Sequence, residues 1–167
     1  MSHKYFGSIL AGKRALITGA NRGLGLLMAH RFLECGAKVA IFCAPHEEIE
    51  PAVAELKALD PSFEVLGFKP NLTDEDALRK IMAEIEDKWG GLDILVNNAG
   101  NGGPSIPTVD MPQEIFDKVV NLDLCSLFRV MKAFGKVMVC HLENRCRIIK
   151  EKSRRRRYFK HQLHGRY

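Results

Sequence analysis

The 167-residue sequence lacks any apolar run approaching the ~18 residues that a membrane-spanning helix needs, so we expect no membrane partner. Residues 1–10 also lack the positively charged segment and apolar core of a secretory signal, and we expect a cytoplasmic location. The five cysteines form no Cys-x-x-Cys pair and no spacing typical of metal ligands. We therefore expect reduced thiols and no metal site.

Positive charge is concentrated at the end of the chain. Ten of the 25 Lys and Arg residues lie in residues 140–167, which contain only two acids, Glu143 and Glu151. Residues 1–139 are mildly acidic, so nucleic-acid binding by that part is not expected. We predict a domain over residues 1–139 and a basic C-terminal tail over residues 140–167. An RNA-binding or nuclear-localisation role for the run Arg154–Arg157 is an alternative function.

Short apolar segments alternate with segments of helical periodicity along residues 14–139. The predicted strands cover residues 14–18, 38–43, 63–68 and 92–96. The predicted helices cover residues 24–35, 45–59, a segment capped by Thr73 and ended by Gly90, and residues 111–139. Strands that alternate with helices form parallel sheets covered on both faces. The fold class is therefore α/β, a Rossmann-like doubly wound parallel sheet.

A glycine-rich turn joins the first predicted strand to the first predicted helix. Gly19 allows a sharp turn, Gly23 lets the backbone approach a pyrophosphate, and Gly25 lets the helix pack closely on the sheet. The start of the helix offers free N–H groups and a partial positive charge to the phosphates. The position of this turn in a strand–helix–strand unit predicts a dinucleotide-binding site.

Four segments resemble motifs of the short-chain dehydrogenase/reductase family, in order and over residues 13 to 139. Thr18-Gly19-Ala20-Asn21-Arg22-Gly23-Leu24-Gly25 resembles the cofactor turn of that family. Asn97-Asn98-Ala99-Gly100, after the fourth predicted strand, resembles its second motif. Asn71-Leu72 occupies the place of its adenine-contacting Asp-Val pair, and Asn121 that of the Asn in its catalytic tetrad.

The resemblance implies an NAD(P)-dependent oxidoreductase that transfers hydride between nicotinamide and a carbonyl or alcohol substrate. It also implies that this chain holds about four of the family's seven strands, and that homo-oligomers are common among relatives. The one catalytic residue it implies is Asn121. The cofactor-binding residues that it implies are Gly19, Asn21, Arg22, Gly23, Leu24, Gly25, Asn71, Leu72, Asn98, Ala99 and Gly100.

The choice between NAD and NADP depends on the end of the second predicted strand. An acid there bonds the ribose hydroxyls, whereas a basic residue pairs with a 2′-phosphate. Cys43 and Ala44 stand at those places, and neither carries a charge. Arg22 resembles the arginine of family members that use NADP, so the sequence favours NADP.

The Tyr-x-x-x-Lys pair that this family uses for proton transfer does not occur in the 167 residues. Ile9 follows Tyr5 by four places, Gln162 follows Tyr158, and Tyr167 is the last residue. A phenol titrates near pH 10, so it needs a nearby cation to work at neutral pH. We therefore predict a chain that is inactive alone. The alternative is a non-catalytic dinucleotide-binding module.

The tail itself suggests an origin. Codons for Tyr158–Tyr167 can be chosen so that the next reading frame encodes Ile-Ser-Asn-Ile-Ser-Ser-Met-Ala-Gly, which resembles the family's fifth strand with its catalytic Ser. We hypothesise that the tail is a frameshift product of a change between residues 139 and 153. A rival alignment keeps the visible frame, with Arg147-Ile148-Ile149 as the fifth strand and Ser153 near the Ser position.

Overall fold

The computed structural model describes residues 8–139, in which four strands form one parallel sheet in the order β3-β2-β1-β4. The predicted parallel α/β sheet is confirmed. Each of the four strands begins and ends within two residues of its predicted range. The strands are β1 Arg14–Ile17, β2 Lys38–Phe42, β3 Val65–Phe68 and β4 Ile94–Val96.

Helices follow each strand. They are α1 Gly23–Glu34, α2 Glu50–Leu59, α3 Glu75–Trp89, α4 Gln113–Val120 and a further helix, α5, over residues 126–139. A 3₁₀ turn, Thr108–Asp110, precedes α4, and a π turn, Asn121–Cys125, joins α4 to α5. In residues 8–139, no helix is long and apolar enough to cross a membrane.

Side chains that alternate along the strands form two separate buried apolar clusters, one on each face of the sheet. On one face, Ile17 and Ile41 pack with Ala29 and Leu33 of α1 and with Leu56 of α2. The other face carries Leu16, Ala40 and Phe42, packed with residues of α3 and with Val130 and Phe134 of α5. Because successive strand residues point to opposite faces, one strand supplies both clusters. The predicted double winding is thereby confirmed.

Three helices begin later than predicted, and the first helical residue of α4 is Gln113 rather than Met111. Helix α2 begins at Glu50, not at Pro45, because Ala44 and Glu47 close a turn (Glu47 N–H to Ala44 O, 3.0 Å) that occupies the intervening residues. The N-cap of α3 is Asp74, not Thr73: the Asp74 carboxylate accepts hydrogen bonds from the N–H groups of Asp76 and Ala77. Ser, Thr, Asp and Asn all cap helices well, so the sequence alone does not separate these two neighbours.

The predicted single helix over residues 111–139 is interrupted. Helix α4 gives way at Asn121 to one π turn, in which the Ser126 N–H donates to the Asn121 carbonyl. The Ser126 hydroxyl donates to the Leu122 carbonyl. A single π turn lies between two segments that each keep helical periodicity, so the sequence pattern did not reveal the interruption. Such turns occur often at functional sites.

The strand order places a switch point between β1 and β4. The chain moves outward from β1 to β2 and β3, and then crosses to the other side of β1. In parallel sheets, ligands bind outside the carboxyl ends of the strands at such a point. The turn after β1 and the segment after β4 meet there.

Candidate functional site

Gly19 and Gly25 stand in places that only glycine fits. Gly19 has φ of +62°, and an added Cβ would lie 2.8 Å from the Ala99 Cα. A Cβ on Gly25 would lie 2.6 Å from the Asn98 Nδ2 and against the Gly19 carbonyl oxygen. The two residues therefore allow the turn, the start of α1 and the segment after β4 to pack against one another, as their spacing predicts.

Gly23 differs from Gly19 and Gly25 because the space where its Cβ would stand is open. Its φ is +56°, and an added Cβ would meet nothing within 4 Å. Among the described residues, the N–H groups of Gly23, Leu24 and Gly25 have no partner, and the first helical N–H with one is that of Leu26. Leu24 is 67% exposed at the same end. Free N–H groups at a helix start attract anions.

Thr18 and Asn98 hold the glycine turn against the end of β4. The buried Thr18 hydroxyl accepts hydrogen bonds from the N–H groups of Asn98 and Ala99, at 3.0 and 2.9 Å. The Asn98 side chain donates back to the carbonyls of Thr18 and Gly19, at 3.0 and 2.9 Å. Both N–H bonds of the Asn98 amide are therefore engaged with the turn. Sequence reasoning did not name Thr18 as a site residue, although a buried hydroxyl after a strand needs a partner.

We expect Asn98→Asp to destabilise the turn more than its small change in shape suggests. The substitution places a carboxylate oxygen against two carbonyl oxygens that now accept hydrogen bonds, and leaves both without a donor. The expected loss in free energy of unfolding is about 1–3 kcal/mol, measured by urea titration. Asn101→Asp is the matched control, because Asn101 uses only its oxygen, which accepts from the Gly103 N–H. Equal losses in the two variants would contradict this role of Asn98.

Arg22 and Asn21 point from the turn to the loop after β2. An Arg22 guanidinium nitrogen lies 2.7 Å from a carboxylate oxygen of Glu47, and Asn21 donates to the Glu48 carbonyl at 3.4 Å. The other Glu47 oxygen accepts from the Ala44 N–H at 3.2 Å. Sequence reasoning missed Glu47 because it lies several residues beyond the strand end and reaches the site only by folding back.

The thiol of Cys43, at the end of β2, is buried and stays protonated near neutral pH. Burial raises the pKa of Cys43, and the negative charge of Glu47 raises it further. Within residues 8–139, Cys35, Cys43 and Cys125 are free thiols. No group of three or more His, Cys, Asp or Glu side chains in that range is placed to hold a metal ion.

Asn71 and Leu72 follow β3 at the same edge of the sheet. The Asn71 side-chain oxygen accepts from the Thr73 N–H and hydroxyl, at 3.1 and 2.8 Å. Leu72 is partly buried and packs on the cluster that contains Phe42. The contact of this pair with adenine remains a prediction.

Asn121 begins the π turn and has an exposed side chain. Its amide oxygen accepts a hydrogen bond from Arg129 at 3.1 Å. Two residues on, the Asp123 carboxylate accepts from the Asn101 N–H at 2.9 Å, and a Cβ on Gly100 would lie 3.6 Å from it. Asp123 thus joins the π turn to the segment that also holds the glycine turn. Sequence reasoning did not single out Asp123.

Residues 13–157 match the family model of the short chain dehydrogenases. The chain belongs to this family. The match includes part of residues 140–167, where the predicted tail, its frameshift origin and the Arg154–Arg157 run lie. Those residues are outside the described range, so the predicted boundary at 139 remains a prediction.

Proteins similar to this chain are named for different substrates. A 3alpha-hydroxysteroid dehydrogenase of Mediterraneibacter gnavus is 32% identical over 130 residues, which are 78% of this chain and 52% of that protein. Among solved structures, an NAD⁺-bound xylitol dehydrogenase aligns with a TM-score of 0.74 and 29% identity, covering 80% of this chain and 50% of that one. A metagenomic short-chain oxidoreductase in complex with NADP aligns with a TM-score of 0.69 and 27% identity, covering 78% and 58%. The chain spans about half the length of these relatives.

Proposed function

We propose that this chain binds a nicotinamide dinucleotide with its pyrophosphate at the start of α1. The observation that carries the proposal is the open backbone of Gly23 beside the unpaired N–H groups of Gly23, Leu24 and Gly25. A Cβ at Gly23 would fill the approach, and a helix start favours negative charge. The two structural relatives described above carry NAD⁺ and NADP, which supports the same class of ligand.

The remaining residues of the site would position this ligand. Thr18 and Asn98 hold the turn rigid, and the exposed side chain of Leu24 offers an apolar surface next to the free N–H groups. A bound nicotinamide supplies or accepts hydride in this family. Asn121, at the π turn, is the residue of this chain that we assign to the catalytic side of the site.

We also propose that the 167-residue chain binds without turnover. Proton transfer to a substrate oxygen needs an acid of matched pKa near the nicotinamide. The family's Tyr-x-x-x-Lys is absent from the sequence, and an amide such as that of Asn121 does not titrate. Cytoplasmic location, homo-oligomerisation and the choice of NADP remain predictions from the sequence.

The test separates binding from catalysis on one preparation of the full chain. Calorimetric titration with NAD⁺ and NADP⁺ is expected to give saturable binding of at least one of them. The same preparation, supplied with a panel of secondary alcohols and ketones, is expected to change NAD(P)H absorbance no faster than the buffer. Turnover that survives repurification would contradict the second proposal, and failure to bind either dinucleotide would contradict the first.

A further inference from the structure

The loop between β2 and α2 brings a carboxylate to the place where this family chooses its dinucleotide. Cys43 and Ala44 stand at the strand end and carry no charge. Glu47 folds back from the loop, so that one carboxylate oxygen lies 3.2 Å from the Ala44 N–H and the other 2.7 Å from an Arg22 nitrogen. The residues at the end of β2 are uncharged, but in the folded chain the negative charge of the Glu47 carboxylate lies beside them.

The two partners of this ion pair are held to different degrees. The Glu47 side chain is 20% exposed and is fixed through the Ala44 N–H, whereas the Arg22 side chain is 79% exposed. The Asn21 side chain also ties the turn to the loop, since its amide donates to the Glu48 backbone carbonyl. The carboxylate is thus the stationary member, and the guanidinium is the member that can move.

This arrangement has opposite consequences for the two dinucleotides. A carboxylate accepts hydrogen bonds from ribose hydroxyls, which favours NAD. A 2′-phosphate would carry negative charge toward Glu47, and like charges brought together at a binding site are costly. Arg22 can pair with the 2′-phosphate only if it leaves Glu47. The Glu47 carboxylate would then remain near the phosphate without a counter-ion.

We propose that Glu47 is the specificity-determining residue of this site. It accepts from the adenosine ribose and holds Arg22 away from a 2′-phosphate, so that NAD binds more tightly than NADP. The proposal rests on the proposed dinucleotide binding. It also reverses the preference for NADP that Arg22 alone indicates in the sequence.

Calorimetric titration of the full chain with NAD⁺ and NADP⁺ tests the proposal. The wild-type chain is expected to bind NAD⁺ more tightly, and Glu47→Gln is expected to raise NADP⁺ affinity on the order of tenfold by removing the repelling charge. Glu48→Gln is the matched control. It removes a neighbouring exposed charge, and only the backbone of Glu48 contacts the turn, so the ratio of the two affinities should stay at the wild-type value.

Arg22→Met, made alone and together with Glu47→Gln, completes the experiment. Alone it should change NADP⁺ affinity little, because Glu47 already occupies the guanidinium; in the double variant it should cancel the gain. An unchanged affinity ratio in Glu47→Gln would overturn the proposal. So would a tenfold loss of NADP⁺ binding in Arg22→Met alone, which remains measurable even if Glu47→Gln does not fold. A wild-type chain that binds neither dinucleotide at millimolar concentration would instead refute the proposed function itself.

Discussion

Asp93→Asn is expected to lower the free energy of unfolding by about 3 kcal/mol or more, because it leaves a buried guanidinium without a counter-ion. Asp93 accepts from the Arg14 side chain at 2.7 Å and from the Arg14 backbone N–H at 3.0 Å. Both side chains are only 9% exposed. Arg14 also donates to the Trp89 carbonyl at 3.0 Å, so this one pair connects β1, the end of α3 and the residue before β4.

Chemical denaturation of the full chain at pH 7 measures this loss. Asp76→Asn is the matched control, because Asp76 pairs with Arg79 at the same 2.7 Å but both side chains are exposed. Exposed ion pairs contribute little to stability, so the control should unfold close to the wild type. A control that loses as much stability as Asp93→Asn would contradict the account of the buried pair.

The pH dependence of the same variant follows from the pKa of Asp93. Burial raises this pKa, but the hydrogen bonds and charge of Arg14 lower it by more, so the folded value lies below the ordinary one. A lowered carboxyl pKa stabilises the fold above the unfolded value near 4, and this stabilisation is lost as pH falls through the folded value. The difference in free energy of unfolding between wild type and Asp93→Asn should therefore be largest near pH 7 and should decrease below about pH 4.

Gly23→Ala is expected to weaken dinucleotide binding on the order of 100-fold, which corresponds to about 2.7 kcal/mol. The added methyl group would stand in the open space before the free N–H groups of α1, where the pyrophosphate must approach. Calorimetric titration with NAD⁺ measures the effect. The variant should remain folded, because the Cβ meets nothing within 4 Å in the chain.

Gly12→Ala separates this steric effect from backbone strain. Gly12 has φ of +70°, close to the +56° of Gly23, and its Cβ would also meet nothing within 4 Å. Gly12 precedes β1, so it lies at the amino ends of the strands, whereas Gly23 lies beyond their carboxyl ends. The free energy of unfolding should fall by about 1–2 kcal/mol in both variants, since both place an alanine in the left-handed region. Equal losses of NAD⁺ affinity would show that strain, rather than blocked approach, weakens binding.

Local patterns were sufficient to predict the sheet and the glycine turn. Each strand of the sheet is a short apolar run, and Gly19, Gly23 and Gly25 stand where a sharp turn, an open backbone and close packing require them. Two of the three glycines have positive φ, which explains why the turn is readable from residue types alone. The order β3-β2-β1-β4 then places this turn at the switch point.

Contacts between distant residues could not be predicted in the same way. Glu47 reaches Arg22 only because a turn at Ala44 folds the loop back, and no residue next to Arg22 indicates that partner. Arg14 and Asp93 are 79 residues apart. In each case the chemistry depends on where the chain returns in space, and periodicity carries no information about that.

Dinucleotide binding at the start of α1 is open to direct observation by an NMR titration of the ¹⁵N-labelled full chain with NAD⁺. We expect saturable shifts of the backbone amide signals of Gly23, Leu24 and Gly25, and no shift of the Gly12 amide signal. Saturable shifts confined to other residues, or no shifts at millimolar NAD⁺ and NADP⁺, would contradict binding at this site.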